Sequence, residues 1–148
     1  MNEEKRAELL KDEYVMLQQF YEEIDSKGLT IKSWAVTVAL AAIGAGIFYE
    51  KRVLLLVSFF ASLVFWYTEA HWRGLSHFFV ARINQIESAF RSEKWKEEVP
   101  LQVYSTWSEE YGRVKDQTLR YMLKRSSFLP HALIAGISLA LFIWGPSK

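Results

Sequence analysis

The stretch Ser33–Trp72, SWAVTVALAAIGAGIFYEKRVLLLVSFFASLVFWYTEAHW, decides the fold. It holds two runs without Asp, Glu, Lys or Arg: Ser33–Tyr49 of 17 residues and Val53–Thr68 of 16. A helix crossing the hydrocarbon core of a bilayer needs about 20 mostly apolar residues, with a range of about 17–25. Each run is close to that length, and aromatic residues extend both. Trp34 and Tyr49 bracket the first, while Trp66, Tyr67 and Trp72 cluster at the end of the second. Such rings favour the headgroup level. Only Glu50, Lys51 and Arg52 separate the runs, so they must form an antiparallel helical hairpin.

A third run, Phe128–Trp144, has 17 residues, with Pro130 and His131 near its start and Trp144 at its end. The three runs account for 50 of 148 residues, and the remaining 98 carry all 35 charges. That partition excludes a simple soluble globule and implies an all-α integral membrane protein: a transmembrane hairpin, a third C-terminal transmembrane helix and a cytoplasmic helical bundle. The expected organisation is a cytoplasmic amphipathic helix over 1–28, a transmembrane hairpin over 33–72 (33–49 and 53–72), a cytoplasmic helical region over 73–126 and a third transmembrane helix over 127–145.

The formal net charge of +1 leaves no electrostatic footprint for nucleic acid, and no nucleic-acid partner is expected. Without cysteine there are no disulfides, thiol nucleophiles or cysteine metal sites. The chain is too short for a transporter of repeated bundles. Met1–Lys11 is charged and lacks an apolar core, so no cleavable signal peptide is expected. Residues 1–32 carry five basic residues, the hairpin link two, residues 69–127 ten and the last four residues one, Lys148. The positive-inside rule then places the N-terminus and the long middle segment in the cytoplasm, with the hairpin tip and the C-terminus outside a bacterial inner membrane.

Outside the spans, Ala7, Leu10, Tyr14, Leu17, Tyr21 and Ile24 recur at spacings of 3, 4, 3, 4 and 3. This is a heptad-like stripe on a helix over Glu3–Ser26, which Gly28 is expected to end. Leu10, Tyr14, Leu17 and Tyr21 would pack on a neighbouring helix of the same chain or on a partner. The second span shows no stop before about Arg91, and Val53–Phe90 as one helix would reach about 57 Å, well beyond a bilayer core. Glu97-Glu98-Val99-Pro100 reads as a linker. Thr106 and Glu109 form a candidate capping box for a helix from about Trp107 to Arg125, with apolar positions Trp107, Tyr111, Val114 and Tyr121. Three short amphipathic helices make a marginal core, and a homo-oligomer is expected to supply further burial.

The first span carries the small pairs Ala35/Ala39 and Ala42/Gly46, which allow close helix approach, either to the second span or to another subunit. Thr37, Ser58 and Ser62 are the polar side chains well inside the hairpin, and Ser58 and Ser62 share a face. They would serve as hydrogen-bonding glue or line a narrow pore. Glu69, His71, Arg73 and His77 form the one cluster with chemistry. Glu69 and Arg73 lie at i, i+4 and His77 one turn beyond Arg73, but His71 lies about 200° from Glu69 and does not converge with it on one face. The cluster reads as interfacial, with gating as the sharper role. His131 faces a bundle interior or the interface. Ser126-Ser127 reads as a helix cap. No catalytic residue, metal site or cofactor is expected, and no enzyme activity.

The run LTIKSWAVTVALAAIGAG, followed by a span ending in FWYTEAHWR, resembles a group of small bacterial membrane proteins. The layout over about residues 5–95 is similar to the two-span effector modules called SLATT domains. Their order is a cytoplasmic amphipathic helix, a tight hairpin and a long emergent helix. The resemblance implies an oligomeric, channel-like effector that perturbs the membrane in anti-phage defence, triggered by a soluble signalling or defence partner. The third span lies outside the two-span plan. A non-conducting anchor that recruits a soluble partner through its cytoplasmic helices is the alternative.

Overall fold

The computed structural model describes residues 2–113 and 117–145. Among the described residues five α-helices follow one another: α1 Glu3–Phe48, α2 Arg52–Arg91, α3 Val103–Arg113, α4 Gln117–Met122 and α5 Arg125–Trp144. A single 3₁₀ turn, Lys94–Lys96, lies between α2 and α3, and no strand occurs among the described residues. The helices α1, α2 and α5 are each long and apolar enough to cross a membrane. The chain divides into two compact units: Met1–Ser26 with Arg73–Gln117, and Lys27–Trp72 with Thr118–Lys148.

Three boundaries differ from those the sequence predicts. Gly28 does not end the first helix, and α1 runs unbroken through it. One glycine disfavours a helix by only about 1 kcal/mol, and it stops one when the chain also takes a left-handed turn there. No glycine has a positive φ, and Gly28 is buried in the helix. Next, α3 begins at Val103, so Thr106 lies inside it and does not cap it. The Gln102 carbonyl accepts the Thr106 N–H at 3.1 Å, which starts the helix one turn early. The returning segment is described as α3 and α4, and residues 114–116, Val114 among them, lie outside the described residues. Finally, Lys124 in extended conformation is the N-terminal boundary of α5, which puts Ser126 and Ser127 within the helix.

In the first unit, Leu10 and Leu17 of α1 are completely buried and cluster with Ile83 and Ile86 of α2. Tyr14, Phe79, Trp95 and Val103 pack against that cluster. Tyr21 of the same stripe is exposed.

In the second unit, α1 and α2 meet through a three-residue link. Glu50 takes a left-handed φ of 54°, the Lys51 N–H bonds to the Gly46 carbonyl, and the Glu50 N–H bonds to Ile47. This is a Schellman-type end with glutamate in the place usually held by glycine. Gly46 packs so closely that an added Cβ would lie 3.0 Å from Leu55 Cδ2. Ala35 and Ala39 are buried as well, and Ala42 is half-buried.

Candidate functional site

The buried polar residues of α2 and α5 in the second unit share one pattern. Ser58, Ser62 and Glu69 stand at i, i+4 and i+11, and so do Ser127, His131 and Ser138. On a helix turning about 100° per residue, that spacing keeps all three within about 40°. Each helix therefore carries one buried polar stripe. The two helices run antiparallel, so the stripes pair end to end: Ser58 with Ser138, Ser62 with His131 and Glu69 with Ser127 and His131. All six side chains are completely buried.

At one end of this seam the Ser58 and Ser138 hydroxyls are 2.8 Å apart. Ser58 also reaches the backbone carbonyl of Ala39 at 3.3 Å, across the small face of α1. Further along, the Ser62 hydroxyl donates to the His131 carbonyl at 2.9 Å.

The other end is charged. Glu69 Oε1 accepts the Ser127 hydroxyl at 3.0 Å and lies 3.2 Å from Lys32 Nζ. Glu69 Oε2 faces His131 Nε2 at 2.8 Å. Lys32 also donates to the Ser126 carbonyl at 2.6 Å. Pro130 explains why that carbonyl is available, since proline has no N–H to bond back four residues along the helix. The Trp66 ring stacks on His131 with centroids 6.4 Å apart, and its indole N–H donates to the Met122 carbonyl at 3.0 Å. Residues from α1, α2 and α5 thus meet at one buried carboxylate.

The other residues named with Glu69 make contacts of their own. His71 is exposed, stacks on Tyr67 and lies 3.3 Å from the Thr118 hydroxyl through Nδ1. Arg73 belongs to the first unit, where it pairs with Asp25 at 3.2 Å. His77 is half-buried in the same unit. Thr37 also parts from Ser58 and Ser62: it is exposed, and its hydroxyl donates to the Ser33 carbonyl of its own helix at 2.9 Å. Ser127 serves Glu69 rather than capping α5. The sequence signal for the seam was the repeated i, i+4, i+11 spacing, which becomes visible only when Glu69 is counted with the serines.

The first unit has its own buried ionic centre, which no motif announced. Arg82 Nε and Nη2 donate to the two Glu13 oxygens at 2.9 and 3.1 Å. Arg82 Nη1 and Nη2 also donate to Glu98 Oε1 and to the Val99 carbonyl, both at 2.7 Å. Glu13 further accepts the backbone N–H groups of Leu101 and Gln102. Burial alone would lower the Arg82 proton affinity, but hydrogen bonds and charge from Glu13 and Glu98 outweigh it and raise it above the usual guanidinium value. Arg82 is therefore charged at every accessible pH.

Among the described residues, no group of three or more His, Asp or Glu is arranged to hold a metal ion. No protein-family model matches the chain, and neither a curated protein nor a solved structure matches it.

Proposed function

We propose that this chain is an integral protein of the bacterial inner membrane that acts as an oligomeric, channel-like effector. The observation that carries the reading is the inverted packing of the second unit. Its buried side chains are Ser58, Ser62, Glu69, Ser127, His131 and Ser138, together with small alanines, Leu55 and Ile134. Its exposed side chains are bulky and apolar: Leu40, Ile47, Phe48, Phe60, Val64, Leu133 and Trp144, with Phe48 and Trp144 both 80% exposed. Only 17% of the most apolar window of α1, and 28% of those in α2 and α5, is buried. A water-soluble fold sorts its residues the other way. Lipid is the solvent that makes this sorting favourable.

In this reading the apolar parts of α1, α2 and α5 cross the bilayer, and the charge distribution sets residues 1–32 and 69–127 on the cytoplasmic side. A plain anchor needs apolar length only. A carboxylate, an imidazole and an ammonium gathered among the spans are costly there, and they support a conducting or gated role. A soluble signal or defence partner acting on the cytoplasmic helices would supply the trigger. The defence context comes from the resemblance to two-span effector modules.

One observation favours the anchor alternative. An open apolar groove of ≈ 770 Å³ in the first unit is lined by Leu10, Tyr14, Ile86 and Phe90, flanked by Glu8, Lys11, Glu87 and Arg91. A recruited helix would fit such a surface.

Expression in bacterial cells with a potential-sensitive dye separates the two, alongside growth and the size of the detergent-extracted protein. The effector reading expects depolarisation, growth arrest and a discrete oligomer. An intact potential at high expression, with a soluble protein retained on the first unit, would replace it with the anchor reading.

A further inference from the structure

We propose that Glu69 and His131, together with Lys32, form a proton-binding site among the apolar helices, the proton entering at His131 Nδ1, and that its occupancy sets how tightly α5 holds to α1 and α2. The consequence for gating rests on the effector reading. The chemistry of the site does not.

An ionised carboxylate only accepts hydrogen bonds. Glu69 Oε1 receives the Ser127 hydroxyl and the Lys32 ammonium, and Oε2 receives His131 Nε2. Nε2 must therefore carry the hydrogen, and a neutral imidazole then has its lone pair on Nδ1. That atom is buried and has no hydrogen-bond partner among the described residues. It is a base that gains a proton without breaking a bond, whereas the neighbouring hydroxyls and the Lys32 ammonium already act as donors. Proton uptake from water forms one N–H bond and adds one positive charge.

Among the described contacts, the charged groups facing the imidazole include Glu69 of α2, in contact with it, and Lys32 of α1, held through Glu69. Protonation of His131 adds one positive charge to the site. It also creates a buried N–H without an acceptor among the described residues. Both are unfavourable in apolar surroundings unless water enters or a helix moves. His131 shares its face of α5 with Ser127 and Ser138, so movement at His131 disturbs every cross-helix bond of the seam. An imidazole suits this task, because its ordinary titration falls near physiological pH.

The test uses the full chain in vesicles of phosphatidylethanolamine and phosphatidylglycerol, with histidine labelled by ¹⁵N in the ring. In the His71→Gln/His77→Gln background, His131 is the only imidazole left. The expected result is a change of protonation at His131 between pH 4.5 and 9. Glu69→Gln should move its midpoint to lower pH by about 1–3 units, because an adjacent opposite charge is lost. Should Glu69→Gln not fold, Lys32→Gln should move the midpoint the other way. A His131 that keeps one protonation state throughout, or a midpoint indifferent to the substitution made, overturns the site.

Packing is read separately, by the distance between spin labels on Phe48→Cys and Trp144→Cys. It should lengthen as His131 takes its proton, and a fixed distance overturns the coupling. Potassium efflux from the same vesicles isolates the effector reading: titration and helix movement without efflux keep the proton site and reject the channel.

Discussion

Glu13 is buried in a small core because every lone pair it offers is used. It accepts two bonds from Arg82 and one each from the Leu101 and Gln102 N–H groups. Those last two bonds hold Leu101 at a φ of 63°, a left-handed conformation that costs a residue with a side chain about 1–2 kcal/mol. Glu13→Ala strands a buried guanidinium and releases that turn together. Breaking a buried ion pair on one side costs about 3–5 kcal/mol. Glu13→Ala should therefore lower the thermal midpoint of the detergent-solubilised protein and expose the 97–102 segment to protease. Replacing Glu13, Arg82 and Glu98 together by apolar residues of similar volume should recover much of that loss. Equal destabilisation by the single and triple variants would refute the account. At Gly46 the argument is steric. Gly46→Val should destabilise the hairpin by about 1–3 kcal/mol through contact with Leu55. A Cβ at Gly44 meets nothing within 4 Å, so Gly44→Ala should be tolerated in the same melting assay.

At the scale of elements, the antiparallel seam between α2 and α5 predicts cross-links. The chain has no cysteine, so introduced thiols report without background. Ser58→Cys with Ser138→Cys replaces two hydroxyls 2.8 Å apart and should give an intramolecular disulfide on mild oxidation, visible as a mobility shift. Thr37→Cys with Ser138→Cys should not, because Thr37 is on the exposed side of α1. Pro130→Ala restores an N–H that competes with Lys32 for the Ser126 carbonyl. It should slow cross-linking at the 58/138 pair if Lys32 helps hold α5 in place. An unchanged rate would mean that the serine contacts alone set the register.

The prediction at the scale of the whole molecule concerns its solvent. If the exposed apolar faces of α1, α2 and α5 contact lipid, the protein should remain in membranes through alkaline carbonate extraction. A cysteine at Glu50 should react with an impermeant reagent added outside intact cells, and one at Glu98 only after lysis. Reaction of both from outside would reverse or break the proposed topology. Release by carbonate would show that the apolar faces meet protein instead.

What the sequence determined by itself is what depends on neighbours along the chain. Charge-free length, aromatic flanks and a three-residue link suffice for two long helices joined in a hairpin, and a third apolar run suffices for α5. The heptad spacing likewise marked Leu10 and Leu17, and the unbroken apolar stripe past Trp72 anticipated the length of α2. Helix ends were harder to read. Gly28, Thr106 and Ser126-Ser127 are local signals that packing and backbone bonds from outside the motif override. Tertiary structure alone decided which polar groups meet. Glu69 lies beside His71 and Arg73 in sequence, yet it bonds Ser127 and His131, about 60 residues away, and Arg82 finds Glu13 from a separation of 69. A buried charge must be satisfied by whatever the fold brings within about 3 Å, and spacing along one helix specifies only the face on which that partner must arrive.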